Sequence, residues 1–515
     1  MIFALITVCV YYATPKGWKW LALLVASYAF YLLSSPKTFV FILLTTIVTF
    51  FGGKGIGKIN AEHKAYLDAN KTNLSKDEKK ALKVETQKRK KKIVAVTLIF
   101  DFGILAILKY FRVYIETLGF GDTFNLGILI PLGISFYTFQ SAAYIMDIYR
   151  SKIEPDKNLA KFALFTAFFP QIIQGPISRY DQLAHQLYAN HKLSYVNLQR
   201  GAQLMMWGFF KKLIVADRIA IPCSQIFDNY HDYHGGIIFM GMLFYTIQIY
   251  ADFSGGIDIA RGVARCMGIT MTHNFRRPYF SVSLSEFWNR WHISLSHWCR
   301  DYIFYSIAMS KFFGKLGKNL RSVLGDRVGK LFPVIVAQFA TFLTIGIWHG
   351  AEFKYIAYGL YNGIVIVSGL LLEPYIEKLQ DKLHIDVQSK WWKGFSIIRT
   401  FFIVLFGRIF PKATSFTAAI AMLVSMFKPM GFGAFYDTLM DLGINGVDYI
   451  ILIVACVIWF IISLNEELEG KVYGQLARKP RGVRWAVYLL ALAAIMIFGI
   501  YGPGYDASAF IYRGF

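Results

Sequence analysis

The 515-residue chain has few cysteines and lacks the short motifs of common soluble enzymes. Its five cysteines are scattered and form no CxxC pair, so the sequence predicts neither a disulfide framework nor a zinc site. GxSxG, HExxH, Walker and GxGxxG patterns are also missing. Their absence argues against a hydrolase elbow, a metalloprotease helix and a nucleotide-binding loop. We predict no bound metal and no bound cofactor.

The chain also has too few polar residues to cover a soluble core. Hydrophobic residues make up 56% of it and aromatic residues 17%. Apolar runs of near-bilayer length recur, for example Trp18–Leu33, Leu331–Ile347 and Trp485–Tyr501. These windows predict roughly 10 to 13 membrane segments, the first of them retained rather than cleaved. Because backbone groups in lipid must bond to one another, we predict an all-α polytopic membrane protein.

The formal net charge is +23, and the longest polar stretch of the chain is rich in lysine. Lys54–Lys92 contains the sequence KDEKKALKVETQKRKKK between two apolar runs. A lysine-rich segment beside membrane spans favours the cytoplasmic face and contacts anionic headgroups. No nucleic-acid recognition fold accompanies the charge, so we predict no nucleic-acid partner.

Composition divides the chain into five parts. They are N-terminal transmembrane helices (1–52), a basic cytoplasmic loop that makes a helical excursion (53–92), a central body (93–375), a polar connector (376–393) and C-terminal transmembrane helices (394–515). Only the central body has apolar runs interrupted by Gly, Pro and charge, as in QGPISRYDQ and YADFSGGIDIARGVAR. Such interruptions are tolerated in a bilayer where the backbone lines a cavity, so we expect a polar cavity with re-entrant or interfacial helices.

The densest polar stretch in the central body is EFWNRWHISLSHWCRD, Glu286–Asp301. Drawn as one ideal helix of about 100° per residue, it separates an aromatic stripe from a polar stripe. Two interpretations remain open: an interfacial helix with Trp at headgroup level, or a helix that faces an internal water-filled path. The polar stripe consists of Asn289, His292, Ser296 and Arg300.

A second histidine, His349, ends the apolar run Leu331–Ile347 in the sequence LTIGIWHGAEF. An ionisable residue at this place is costly unless it faces a cavity, and imidazole suits general-base chemistry near neutral pH. Trp348 and Gly350 allow shielding on one side and close backbone approach on the other. From this window alone, a structural histidine bonded to a carbonyl is as good an interpretation as a catalytic one.

Two other polar motifs favour structural roles. DFSGG (Asp252–Gly256) resembles a turn where a helix breaks, and we favour Asp252 as a hydrogen-bonding acid. Asp252 and Asp258 alone make a weak cation site, because two carboxylates lack the further oxygen ligands. RYDQ (Arg179–Gln182) is interpreted first as an ion pair at a membrane boundary and second as a donor contact.

Six motifs in order resemble the membrane-bound O-acyltransferase family, in its bacterial branch of alginate-acetylating and teichoic acid D-alanylating types. The closing sequence YGPGYDASAFIYRGF resembles the alginate-acetylating type, and the extra C-terminal segments favour that type. The six motifs are PLGISFYTFQSAAYIMDIYR, FFPQIIQGPISRYDQ, GFFKKLIVADRIA, QIYADFSGGIDIARGVARCMGI, FWNRWHISLSHWCRDYIF and IWHGAEFKYIAYGLYNG.

The resemblance implies a helical bundle around a central funnel or tunnel, with His349 as the family's buried histidine and His292 as a second, accessory one. It implies acyl transfer from a cytosolic thioester, acetyl-CoA or alternatively an acyl carrier protein, in a bacterial plasma membrane. A polysaccharide or teichoic acid would be the acceptor, and an SGNH-type extracytoplasmic transferase the partner. We predict substrate contacts at Asn289, Ser296, Trp348, Arg300 and Asp252.

Two functions of other classes remain open. The polar interruptions would also suit a transporter that moves an acyl group or glycan without chemistry, although no two-fold internal repeat is evident. A scaffold that recruits a cytosolic partner through Lys71–Lys92 is the third hypothesis.

Overall fold

A computed structural model of the chain describes residues 1–71, 74–117, 130–468 and 472–501. Every regular element in these ranges is helical, which confirms the predicted all-α fold. The closing residues 502–515 lie outside the described part. The helices are α1 (Ile2–Ala13), α2 (Lys19–Ser34), α3 (Phe39–Ala69), α4 (Lys76–Thr117), α5 (Ile134–Tyr149), α6 (Leu159–Ala167), α7 (Phe169–Gln174), α8 (Tyr180–Tyr188), α9 (Tyr195–Phe209), α10 (Asp217–Asp228), α11 (Gly236–Cys266), α12 (Leu284–Arg290), α13 (Ile293–Cys299), α14 (Tyr305–Ala308), α15 (Lys311–Leu324), α16 (Asp326–His349), α17 (Phe353–Lys382), α18 (Lys390–Lys412), α19 (Phe416–Ser425), α20 (Phe432–Met440), α21 (Gly446–Leu468), α22 (Val472–Ala477) and α23 (Arg481–Phe498).

Among the described residues, eight helices are long and apolar enough to cross a membrane. This confirms a multi-pass membrane protein. Four shorter apolar helices accompany the eight: Ile2–Ala13, Lys19–Ser34, Leu159–Ile172 and Phe416–Ser425. The eight long ones are Pro36–Ala69, Lys76–Phe111, Gly236–Cys266, Asp326–His349, Phe353–Lys382, Lys390–Lys412, Gly446–Leu468 and Arg481–Phe498.

The basic stretch is carried by the adjoining ends of α3 and α4, in agreement with a helical excursion. Lys, Glu, Ala and Gln are good helix formers, so both membrane helices continue into polar sequence. Side-chain bonds join the two extensions: Lys90 Nζ donates to Asn60 Oδ1 over 2.9 Å, and Thr86 Oγ1 lies 3.0 Å from His63 Nδ1. The cytoplasmic side of this helical pair stays a prediction.

The chain divides into two compact units, the first made of residues 1–201 and 263–272. Its centre is α5, of which fourteen of sixteen residues are buried. The RYDQ motif takes part in ion pairs in this unit, as predicted. Arg179 Nη1 lies 3.9 Å from Asp147 Oδ2, and Lys152 Nζ lies 2.9 Å from Asp181 Oδ2.

The second unit comprises residues 202–262 and 273–515 and holds both candidate histidines. Its helices α16 and α17 approach each other closely through glycines. A Cβ at Gly359 would lie 2.4 Å from the carbonyl oxygen of Phe342, and one at Gly346 would lie 2.5 Å from that of Tyr355. No larger residue fits without moving the backbone, so the close packing that positions His349 depends on these glycines.

The predicted helix break at DFSGG is wrong. Asp252–Gly256 lies inside the continuous helix α11. The glycines instead let another backbone come close, because a Cβ at Gly208 would lie 2.6 Å from the carbonyl oxygen of Gly255. Next to this contact, Phe210–Ala216 forms a π-helix between α9 and α10.

Candidate functional site

His349 is the last residue of α16, and its side chain is surrounded by aromatic rings. The residue is only 7% exposed. Its ring centroid lies 4.8 Å from that of Trp348, 5.9 Å from that of Tyr358 and 6.3 Å from that of Tyr355. The backbone leaves the helix at Gly350. The structure therefore places this imidazole in a shielded position among aromatic rings.

His292 lies in a sharp break between α12 and α13. Its φ of 45° and ψ of 52° are left-handed, and the preceding Trp291 is extended. The single helix that we drew through Glu286–Asp301 is therefore wrong. A non-glycine residue in this conformation is strained and needs support from its surroundings.

The support for the break comes from Asn274, eighteen positions earlier in the chain than His292. The backbone N–H of Ile293 donates to the Asn274 carbonyl over 3.0 Å. Ser294 donates through its N–H and its hydroxyl to Asn274 Oδ1, over 2.9 and 2.8 Å. These bonds satisfy the first turn of α13 from outside, so the chain can bend at His292 rather than continue as a helix.

The two histidines meet at one indole. The ring of His292 packs edge to face against Trp348, with centroids 5.6 Å apart, and Trp348 adjoins His349. The ring of His292 also packs against that of Phe253 in α11, with centroids 4.8 Å apart. The structure thus brings His292 together with Trp348 and His349, which lie 56 and 57 positions later in the sequence.

Burial also sets the protonation of His292, which is 1% exposed and lies outside the eight candidate spans. Desolvation lowers the pKa of this imidazole to about 3. It is therefore neutral at physiological pH, with one ring nitrogen as donor and the other as acceptor. A neutral imidazole can orient a hydroxyl or a carbonyl.

The other residues of the predicted polar stripe are dispersed, because the helix ends before His292. Asn289 is exposed and its amide donates to the Ser285 carbonyl over 3.1 Å. Ser296 is half-buried, with its hydroxyl 3.3 Å from the Trp291 carbonyl. The side chain of Arg300 is 42% exposed and lies 3.5 Å from Asp301. Substrate contacts at these three residues stay predictions.

Asp252 belongs to a buried ion pair rather than to the histidine cluster. Its carboxylate accepts from Lys212 Nζ over 2.6 Å, and the same ammonium lies 2.8 Å from Asp217. The next lysine, Lys211, pairs in the same way with Asp258 over 2.6 Å. The π-helix presents both adjacent lysines to acids of α11. This arrangement agrees with the structural role favoured for Asp252, and a substrate contact there stays a prediction.

Sequence reasoning missed Arg408, a buried cation in α18. The residue is 2% exposed, and its guanidinium carbon lies 4.0 Å from the ring centroid of Trp291. The available signal was a charged residue inside an apolar span, which marks a functional candidate in membrane proteins.

An all-α multi-pass protein with two buried histidines around one indole has the features expected of a membrane-bound acyltransferase. The model of "MBOAT, membrane-bound O-acyltransferase family" matches residues 152–325, a range that includes His292 and ends before His349.

Three relatives extend this match. The probable alginate O-acetylase AlgI of Pseudomonas aeruginosa is 31% identical over 426 residues, covering 81% of this chain and 71% of the relative. The peptidoglycan O-acetyltransferase of Helicobacter pylori is 31% identical over 268 residues, which are 47% of this chain and 48% of the relative. The teichoic acid D-alanyltransferase of Bacillus subtilis is 31% identical over 287 residues, 54% of this chain and 67% of the relative. The chain belongs to the membrane-bound O-acyltransferase family.

Proposed function

We propose that this protein is an O-acetyltransferase of the bacterial plasma membrane. It moves acetyl groups from cytosolic acetyl-CoA across the membrane, for O-acetylation of a cell-surface or extracellular polysaccharide. The observation that carries the proposal is the cluster of two buried histidines, His349 and His292, around Trp348. The alignment with the probable alginate O-acetylase, which covers 81% of the chain, supports acetyl as the transferred group and a polysaccharide as the acceptor.

In the proposed reaction His349 is the general base. Its neutral imidazole takes the proton of an acceptor hydroxyl, and the oxygen attacks the carbonyl carbon of the thioester. The tetrahedral intermediate collapses and the C–S bond breaks. The imidazolium returns its proton to the departing thiolate, so that an ester and a free thiol result. The aromatic shell around His349 excludes bulk water, which would otherwise hydrolyse the donor.

The role proposed for His292 is to orient the acceptor or the donor carbonyl as a neutral hydrogen-bonding group. Its burial against Trp348 and Phe253 holds the ring in one orientation. Trp348 shields the reacting atoms between the two imidazoles. Asn289, Ser296 and Arg300 are proposed as outer substrate contacts of the same segment.

We propose a CoA thioester as the donor because its negative charge complements the positive charge of the lysine-rich helical pair. CoA is a polyanion, and the helical pair that carries Lys54–Lys92 gives the proposed cytosolic side a strong positive potential. An acyl carrier protein thioester is the alternative donor. We further propose that an SGNH-type extracytoplasmic transferase completes delivery to the polymer.

A D-alanyl transferase is the second candidate, favoured by the similarity to the Bacillus subtilis protein. That alignment covers 54% of this chain, whereas the alginate-type alignment covers 81%. For this reason acetyl transfer is the first choice.

The decisive experiment uses membranes that contain the wild type or His349→Ala, supplied with acetyl-CoA labelled in the acetyl group. We expect label on the polysaccharide and release of CoA with the wild type only. His185→Ala is the matched control, since His185 is an exposed histidine whose Nδ1 lies 3.1 Å from the carbonyl oxygen of Asp181. Equal turnover in the wild type and His349→Ala would remove His349 from the chemistry.

The same membranes separate the competing functions. A transporter would give flux of solute with no cleavage of the thioester, so CoA release rules it out. A D-alanyl carrier thioester offered beside acetyl-CoA identifies the acyl group by which label is transferred. The scaffold hypothesis predicts that deletion of Lys71–Lys92 abolishes function while the purified membrane core stays folded.

A further inference from the structure

Arg408 has an unusual position for a charged residue. It lies near the end of α18, inside the candidate span Lys390–Lys412, and is among the largest fully buried side chains of the chain. Burying a guanidinium is costly, so such a residue is kept where its contacts serve a purpose. Those contacts lie on the histidine-bearing turn.

The guanidinium stacks over an aromatic cluster centred on Trp291. Its carbon lies 4.0 Å from the Trp291 ring centroid and 5.8 Å from that of Phe287. The two rings are themselves nearly parallel, with centroids 5.6 Å apart and an interplanar angle of 13°. Phe275 packs edge-on against the same indole at 4.9 Å. The cation thus covers one ring whose surroundings are otherwise aromatic.

Trp291 is the residue that precedes the left-handed His292. Its backbone is extended, with φ −103° and ψ 130°, and the turn follows at the next residue. A side chain held in place at Trp291 therefore also holds the position at which the backbone turns. The bonds from Asn274 hold the chain on the far side of the turn, through Ile293 and Ser294. On the near side the backbone N–H of Arg276 donates to the Arg290 carbonyl over 2.9 Å, one residue before Trp291. The packing of the Trp291 indole holds this side in addition.

We propose that Arg408 is a positioning residue for His292, which acts by clamping the indole of Trp291 through its planar guanidinium. The catalytic consequence rests on the proposed acyltransfer at His349 and His292. Arg408 holds one side of the strained turn and Asn274 the other, so the imidazole keeps its edge-to-face contact with Trp348. The planar, delocalised cation is the required feature, since lysine offers a point charge and cannot stack in the same way.

A double-mutant cycle tests whether Arg408 acts through Trp291. Arg408→Met keeps the length of the side chain and removes the cation, and Trp291→Leu removes the ring. We expect Arg408→Met to lower kcat by about tenfold or more, with KM for acetyl-CoA little changed. In the Trp291→Leu background the same change should cost less than about twofold. Arg408→Lys should resemble Arg408→Met, and full activity of the lysine variant would overturn the proposal.

The control is Arg399→Met, on the same helix. Arg399 is exposed and donates to the carbonyl of Val282, so we expect wild-type kcat. Additive losses in the double mutant, with Arg408→Met equally harmful in both backgrounds, would mean that Arg408 acts by another route and would refute the proposal.

A second measurement needs no enzymatic activity. Diethyl pyrocarbonate acylates accessible imidazole nitrogens, and His292 is nearly inaccessible in the native turn. Peptide mass spectrometry of purified protein should show a protected His292 in the wild type and in Arg399→Met, and a labelled one in Arg408→Met. A protected His292 in a folded Arg408→Met variant would overturn the proposal. If the wild type transfers no acyl group, the proposed function fails, but the labelling of His292 still decides whether Arg408 positions it.

Discussion

The imidazole of His292 meets the indole of Trp348 edge to face, at 5.6 Å between centroids and an interplanar angle of 74°. Trp348 is also in contact with its neighbour His349, at 4.8 Å. A residue from the turn between α12 and α13 and the residue that ends α16 therefore share one ring. We therefore expect a substitution at either histidine to affect the packing of the other through Trp348.

The two histidines are expected to contribute unequally to turnover. His349→Gln removes the proposed base and should reduce acetyl transfer by about 10²–10⁴-fold. His292→Gln should reduce it less, because that residue orients rather than accepts a proton. The double variant should be little worse than His349→Gln alone, since groups that act as a unit are not additive. Acetyl transfer from labelled donor in membranes measures all three, with His185→Gln as control. A larger loss in His292→Gln than in His349→Gln would reverse the assignment.

The left-handed backbone at His292 predicts an order of stability among substitutions. Asn and Gly tolerate this conformation, whereas a β-branched residue does not. We expect His292→Val to unfold at a lower temperature than His292→Asn, by a free-energy difference of about 1–2 kcal/mol. Thermal unfolding in detergent measures this difference. The same pair of substitutions at exposed, helical His185 is the control. Equal unfolding temperatures for the two His292 variants would show that the turn is not strained.

The low pKa of His292 predicts a pH-dependent stability. The folded value of about 3 is below the unfolded value of about 6.5, so the unfolded chain binds the extra proton between these values. The contribution is fully present above pH 6.5 and is lost as the pH falls toward 3. Between pH 6.5 and 5 the wild type should lose about 1.6 kcal/mol that His292→Asn does not lose. Unfolding temperatures at both pH values check this, and parallel losses in the two proteins would contradict it.

The buried pair of Lys212 and Asp252 should matter for stability rather than for substrate affinity. The two side chains are 4% and 2% exposed, so Lys212→Met leaves uncompensated buried carboxylates and should cost about 3–5 kcal/mol. Adding Asp252→Asn should restore part of this loss, because one of the uncompensated charges is then removed. Denaturation of the purified single and double variants measures both effects.

The kinetics of Asp252→Asn address the alternative role. If Asp252 bound substrate, the variant would raise KM in a protein of normal stability. We expect instead a lower unfolding temperature and an unchanged KM.

Local sequence was sufficient for the placement of His349 but not for the turn at His292. His349 follows the apolar run Leu331–Ile347, which lies within helix α16 and close to its C-terminal end. The break at His292 depends on Asn274 and on the packing of Trp291, which are tertiary contacts that no periodicity contains. A wheel drawn through Glu286–Asp301 therefore grouped Asn289 with His292, although the structure places only one of them in the interior.

Glycine patterns misled for a related reason. DFSGG contains two residues that commonly end helices, yet α11 runs through them because Gly208 packs against Gly255. The close approach of two backbones rewards small residues inside a helix, and a local pattern cannot distinguish this use from a turn. Arg408 was recoverable in principle from its charge in an apolar span, but its partner Trp291 was not.

The π-helix Phe210–Ala216 has a consequence for changes in the length of this segment. Its i→i+5 ladder accommodates an extra residue in an otherwise continuous rod, and losing that residue would restore ordinary winding while rotating the remainder by roughly 100°. Lys211 and Lys212 would then no longer both reach their acids on α11. We therefore expect the deletion of one residue within this π-helix to break at least one of the two buried ion pairs, so that the length of one helix and the charges of another depend on each other.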